Sequence, residues 1–301
     1  RIIMVACGTA SYACDVAKYA IEKFSRIPVQ VELSHEFRYR DPILTANTLI
    51  VAVSQSGETM DLLMAVRHAK ANGARVLAVC NTNSSTIPRE SDAVLYTHAG
   101  PEIAVAATKS YSAQLLLSYL LVMKWTNKAP HVDKLVSEAE AAIGQESGIK
   151  EVAKNLDLKG DLVVLGRGFA YPNAKEAALK IQETCKVNVH GMSTADYQHG
   201  PISALKEDSQ VILIAPCCMP GNSMADAVAK IRKITKKIYW IGSGADLATG
   251  EFSLGGSCCA DEITSSIVDA ILLQELALQL SVANGFNPDA PEGLSKVTMT
   301  I

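Results

Sequence analysis

Aromatic residues make up only 5% of this 301-residue sequence, no run of lysine and arginine occurs in it, and its net charge is −3. Without a basic patch or interleaved aromatics, nucleic acid and anionic membrane surfaces are not expected as partners. No uninterrupted apolar stretch reaches the roughly 18 residues of a membrane span, and no signal-peptide pattern is present. The eight cysteines include no C-x-x-C pair, and four of them are vicinal, in Cys217-Cys218 and Cys258-Cys259. That arrangement does not suit a disulfide framework and points to a reduced, cytoplasmic protein. H-x-x-H, H-E-x-x-H and Cys/His clusters are also missing, so no metal or other cofactor is expected. Gly166-Arg167-Gly168-Phe169-Ala170-Tyr171 lacks the third glycine of a dinucleotide fingerprint. The chain opens at Arg1, already inside an apolar run, and is read as an excised domain or a fragment.

What is present is a regular alternation. At 49% hydrophobic and 20% charged residues, the chain can bury a full core and divides into two domains. Short β-branched runs at Ile2 to Ala6, Val29 to Leu33, Leu49 to Val53, Arg75 to Val79 and Ala93 to Tyr96 are separated by helical patterns such as Ser11 to Phe24 and Thr59 to Ala71. Strands buried on both faces and joined by helices predict an α/β fold with a doubly wound parallel sheet, whose ligands sit at the carboxyl ends of its strands. A long apolar helix from about Ala107 to Trp125 leads into a polar, alanine-rich helical linker. The strand pattern then restarts at Leu162 to Gly168, Lys186 to His190, Gln210 to Ala215 and Lys237 to Ile241. Two copies of one flavodoxin-like unit are the economical reading, with a first domain over 1–127, the linker over 128–158 and a second domain over 159–301.

The stretch Ser54-Gln55-Ser56-Gly57-Glu58-Thr59 carries the chemistry of the first copy. It follows a strand and opens a helix, where unpaired N–H groups and the positive end of the dipole await an anion. Ser54, Ser56 and Thr59 add hydroxyl donors, and Gly57 permits close backbone approach. A phosphate fits that set. Taken alone, such a turn reads as a plain loop and cap, but a second small-residue turn, Cys7-Gly8-Thr9, follows a strand of the same character. The second copy has Pro216-Cys217-Cys218-Met219-Pro220-Gly221-Asn222 in place of the hydroxyl-rich loop, and prolines remove donors there.

Together with Glu36 to Arg40, Cys80-Asn81, Ala99-Gly100-Pro101-Glu102 and Thr108-Lys109, these turns resemble the tandem sugar-isomerase (SIS) domain family, and within it the isomerase part of the glutamine–fructose-6-phosphate aminotransferases. The resemblance implies a sugar 6-phosphate held by Ser54, Gln55, Ser56 and Thr59, with Cys7, Gly8 and Thr9 near the sugar hydroxyls and Lys180 also touching substrate. It implies Glu183 as the base that moves a proton between C1 and C2. It implies His199, in Gln198-His199-Gly200-Pro201, as the ring-opening group, delivered from a neighbouring subunit, and Lys296 as the amine that forms a Schiff base with the ketose. Such a base needs a partly buried carboxylate, imidazole transfers protons near neutrality, and a nucleophilic amine must be unprotonated. On residue type alone, Glu183 reads as a solvated helix residue, His199 as a loop-shaping residue and Lys296 as a tail charge; it is the joint match, in order and spacing, that reverses this.

Other stretches are similar to stand-alone SIS proteins that deaminate glucosamine 6-phosphate: Ala106 to Tyr111, Ser193 to Asp196 and Asn287-Pro288-Asp289. Two enzyme readings therefore stand: amination of fructose 6-phosphate to glucosamine 6-phosphate, and release of ammonia from glucosamine 6-phosphate. A non-catalytic sugar-phosphate sensor is the third. The first requires a glutaminase domain that these residues do not contain. Delivery of His199 from a neighbour implies a homodimer with shared active sites, for which the apolar helices over 107–125 and 263–283 are candidate interface elements.

Overall fold

A computed structural model describes residues 1–218, 223–255 and 261–294, which fall into two compact units divided near residue 130. In the first, β1 (Ile2–Ala6), β2 (Val29–Leu33), β3 (Leu49–Ser54), β4 (Arg75–Cys80) and β5 (Ala93–Tyr96) form one parallel sheet of order β2-β1-β3-β4-β5. Its helices are α1 (Thr9–Ala20), continued by a π turn over Ile21–Ser25, then α2 (Ser34–Arg40), α3 (Met60–Ala71), α4 (Thr86–Glu90) and α5 (Lys109–Trp125). The period of two along the strands sorts the core into two layers. Ile3, Val5, Ile50, Ala52, Val76 and Ala78 pack with Phe37, Leu62, Val66 and Ile87 from α2, α3 and α4, while Ile2, Met4, Val51 and Val79 face Ala13, Ala17 and Leu117 from α1 and α5.

The second unit begins with α6 (Val132–Ile143) and α7 (Glu146–Asn155). Its strands β6 (Leu162–Gly166), β7 (Val189–Ser193), β8 (Gln210–Ile214), β9 (Ile238–Ile241) and β10 (Phe252–Leu254) are again all parallel, in the order β10-β9-β8-β6-β7. Read outward from the central strands, this is the arrangement of the first sheet. The helices are α8 (Ala170–Cys185), α9 (Thr194–Tyr197), α10 (Ala225–Ile231) and α11 (Glu262–Ala283), with a 3-10 turn over Pro201–Ala204. The fold is the expected α/β one, with two five-stranded parallel sheets flanked by helices.

Two details depart from the strand and span readings. The second strand of this unit starts at Val189 rather than Lys186, because Lys186 sits at φ 55 as the left-handed C-cap of α8. Arg26 does the same at φ 57, three residues before β2, so Val29 and Val189 occupy equivalent registers against Ile2 and Leu162. α11 is long and apolar enough to cross a membrane by length and composition, yet 61% of that window is buried inside the unit. It packs on α6, α7 and α8, as the core helix of a globular unit does.

Candidate functional site

In the first unit the carboxyl ends of β1 and β3 open into a cleft of ≈ 170 Å³, lined by Cys7, Thr9, Ser54, Gln55, Ser56, Thr59, Glu102, Val105, Ala107, Ser110 and Gln114, among others. Six of the seven first-unit residues singled out from the sequence therefore share one cavity wall. The seventh, Gly8, is the N-cap of α1 at φ 53 and shapes the turn between Cys7 and Thr9. Parallel sheets of this order place such a crevice at the switch between β1 and β3, because the connections leave the two strands in opposite directions.

The loop is held before any ligand arrives. Ser54 Oγ lies 3.3 Å from Thr59 Oγ1 and accepts from the Gly57 amide at 3.0 Å. Ser56 Oγ accepts from the Glu58 amide at 3.2 Å. From outside, the amides of Asn81 and Thr82 both donate to Gln55 O, and Ile87 N donates to Gly57 O. The Glu58 carboxylate accepts from Thr86 N at 2.8 Å. Thr59 caps α3 with extended backbone and no side-chain cap bond, so the first amides of α3 receive nothing from that hydroxyl.

Gly57 has no substitute here. Its φ is 68, and a Cβ on it would lie 2.0 Å from Ser85 Oγ and 2.8 Å from Ser85 Cβ. Gly57→Ala is expected to lose about 1–3 kcal/mol of stability through strain and overpacking and to weaken phosphate binding, as read by urea unfolding and phosphate titration. A variant that unfolds and binds like the parent would show that the loop tolerates another path.

Sequence reasoning missed the opposite wall. Glu102 is buried, and its Oε2 accepts from Thr108 N at 3.3 Å, Ser110 N at 3.0 Å and Ser110 Oγ at 2.7 Å. The carboxylate thus fills the N-terminus of α5, one of three helix starts at the cleft beside those of α1 and α3. The readable signal was an acidic residue shortly before a helix start carrying Thr108 and Ser110. Burial disfavours the thiolate of the cysteines in this region. Burial pushes the thiols of Cys7 and Cys14 up and that of Cys80 up to about 12, so the reactive thiolate is scarce near neutrality.

In the second unit, α8 carries Glu176, Lys180 and Glu183 on one stripe, four and three residues apart. Lys180 is 2% exposed, its ammonium is paired with the half-buried Glu183, and it lies 3.8 Å from Glu176. Two carboxylates about one buried cation meet the requirement that buried charge be compensated. His199 sits apart from this stripe, exposed in the turn after α9, where its amide donates to Asp196 O at 2.9 Å. Gly200 follows at φ 146 and leads into the 3-10 turn at Pro201. Lys296 lies outside the described residues.

Comparison with known proteins bears on the whole length. The sequence is 40% identical to the glutamine–fructose-6-phosphate aminotransferase [isomerizing] of Streptomyces coelicolor over 98% of this chain and 51% of that protein. The chain therefore spans about half the length of the curated relatives it matches. The C-terminal domain of glucosamine-fructose-6-phosphate aminotransferase from Francisella tularensis superposes with a TM-score of 0.89 at 26% identity, covering 96% of this chain and 86% of that one. A glucosamine-6-phosphate deaminase from Thermotoga maritima shares the fold, with a TM-score of 0.83 at 22% identity over 98% and 89% of the two chains. The SIS domain model matches residues 1–124, the stretch that holds β1 to β5 and the cleft. The first unit, with its cleft at the β1 and β3 ends, is thus what matches the SIS domain model.

Proposed function

We propose that this chain is the isomerase part of a glutamine–fructose-6-phosphate aminotransferase, converting fructose 6-phosphate and ammonia into glucosamine 6-phosphate. The observation that carries the reading is the 40% identity to such an enzyme over 98% of the chain, and the donor-lined cleft over Ser54 to Thr59 supports it. The second unit, whose sheet repeats the order of the first, is then a second SIS domain.

In this reading the phosphate sits on the α3 N-terminus, with Ser54, Gln55, Ser56 and Thr59 around it and Cys7, Gly8 and Thr9 beside the sugar hydroxyls. Glu183 takes a proton from one of C1 and C2 and returns it to the other, its carboxylate held in place by Lys180. His199 opens the ring, and Lys296 forms the Schiff base that activates the ketose. Its exposure suits His199 to serve a neighbouring copy, so the working unit is a homodimer. The ammonia comes from a glutaminase domain of the longer protein, in keeping with relatives twice this length.

The test is to give the polypeptide fructose 6-phosphate without glutamine, with Lys296→Ala beside it. Interconversion with glucose 6-phosphate that the variant lacks is the expected result. Rapid ammonia release from glucosamine 6-phosphate would replace the reading with the deaminase one, which the resemblance at Ala106 to Tyr111 and Asn287 to Asp289 favours. Binding with neither reaction would leave a sensor.

A further inference from the structure

Gln114 lies on α5 one turn after Ser110, and both side chains line the first unit's cleft. It is 4% exposed, and its carboxamide oxygen has no hydrogen-bond partner among the described residues. On its other side is a small, mostly apolar cavity of ≈ 30 Å³ lined by Ile2, Met4, Val51 and Leu117, with Cys14 and Ser118 among its heteroatom-bearing side chains. A buried amide oxygen without a partner lowers stability, and native folds keep very few of them. Of the two spaces beside it, only the cleft, at ≈ 170 Å³ against ≈ 30 Å³, has room for a ligand larger than water.

The chemistry of that partner follows from the rest of the wall. Ser54, Ser56, Thr59 and the amides at the start of α3 are donors, suited to a phosphate that only accepts. The α5 side is different: its helix start is already filled by Glu102, and Gln114 adds an acceptor beside it. An unpaired amide oxygen requires a donor, which a phosphate dianion does not provide but a hydroxyl does.

We propose that the Gln114 carboxamide hydrogen-bonds a hydroxyl of the bound sugar phosphate, and so distinguishes a polyol phosphate from phosphate alone. The cleft then has a polarity, with phosphate on the α3 side and hydroxyls toward α5. Glu102 contributes to it by denying the α5 start to the anion. The inference rests on reading the cleft as a sugar-phosphate site and adds to that reading a specificity residue.

Calorimetric titration of the full chain with fructose 6-phosphate and, separately, inorganic phosphate tests it, using the parent, Gln114→Leu and the equally long Gln114→Met. Loss of one hydrogen bond to the ligand is expected to weaken fructose 6-phosphate binding about tenfold. Inorganic phosphate should bind as before, and the Tm should be equal or higher, since an unpaired polar group has been removed. Unchanged fructose 6-phosphate affinity in either folded variant overturns the proposal. So does a parallel loss of both ligands with a lowered Tm, which marks a structural role. A parent that binds neither ligand fails earlier, at the reading of the cleft itself.

Discussion

Glu183→Gln is expected to lower turnover of fructose 6-phosphate by about three orders of magnitude, the middle of the range for removing a general base. The substitution keeps the shape of the side chain and an oxygen for Lys180, and takes away only the ability to accept the substrate's proton. Lys180 still has Glu176 at 3.8 Å, so the buried ammonium is not left without a carboxylate and the fold should hold. Affinity for fructose 6-phosphate should move little, because the phosphate is assigned to the Ser54 to Thr59 loop rather than to α8. The measurement is single-turnover isomerisation together with a binding titration on the same preparation. A variant that retains a tenth or more of the parent's rate would remove Glu183 from the proton transfer. One that also loses binding would make it a positioning residue for substrate. The exchange of substrate hydrogen with solvent deuterium adds a readout that packing does not influence, since only a base at C1 or C2 can wash that hydrogen out.

Why the loop over Ser54 to Thr59 was legible in the sequence while Glu102 and Gln114 were not is a matter of sequence distance. A strand, a turn and a helix start lie within a dozen residues, and their chemistry is set by local geometry that residue type reveals. Gln114 and Ser54 line one cleft only because α5 packs beside α1 on one face of the sheet, with its first turns at the cleft. In the sequence, Gln114 is one polar residue in a long apolar helix. The strands were legible for a related reason: a run such as Ile2 to Ala6 or Leu162 to Gly166 is buried throughout, and continuous apolar runs of that length have few other uses in an alternating pattern. The start of β7 was not, since nothing in Val187-Asn188 announces that Lys186 will turn left-handed to end α8. β10 is three residues long, and its Phe252 stacks on Tyr239 with centroids 5.5 Å apart. A strand so short has no pattern to read and is held by its neighbour. Lys180 and Glu183 were legible only through the resemblance, while Glu176 and the burial of their helix, which packs against α11, β6 and β7, were not.

Asp269 is the second residue whose replacement should have a large effect, on stability rather than chemistry. It lies within α11, is 2% exposed, and its Oδ2 has no hydrogen-bond partner among the described residues. Its carboxyl is near Gly242 at the end of β9, where a Cβ would lie 3.3 Å from Oδ1. Burial is the cause that pushes its pKa up to about 8 from the ordinary value of 3.8, with no charge of either sign contributing. The folded state therefore holds a proton across a range in which the unfolded chain has released it. Stability is complete below the unfolded value and falls as pH rises toward 8, by about 1.4 kcal/mol per pH unit where the difference is full. Above the folded value the loss levels off. Asp269→Asn removes the titration while keeping the size of the side chain. The variant's Tm should thus gain roughly 10 °C on the parent's between pH 5 and pH 8, at about 2–4 °C per kcal/mol for a unit of this size. Calorimetric scans at half-unit steps between pH 5 and 8.5 read this directly. If the two Tm curves run parallel, Asp269 is charged in the fold or reached by water, and the unpartnered oxygen has a partner. If they diverge, the core of the second unit carries a carboxylic acid that stays neutral at physiological pH, and raising the pH lowers the stability of the unit whose α11 holds it.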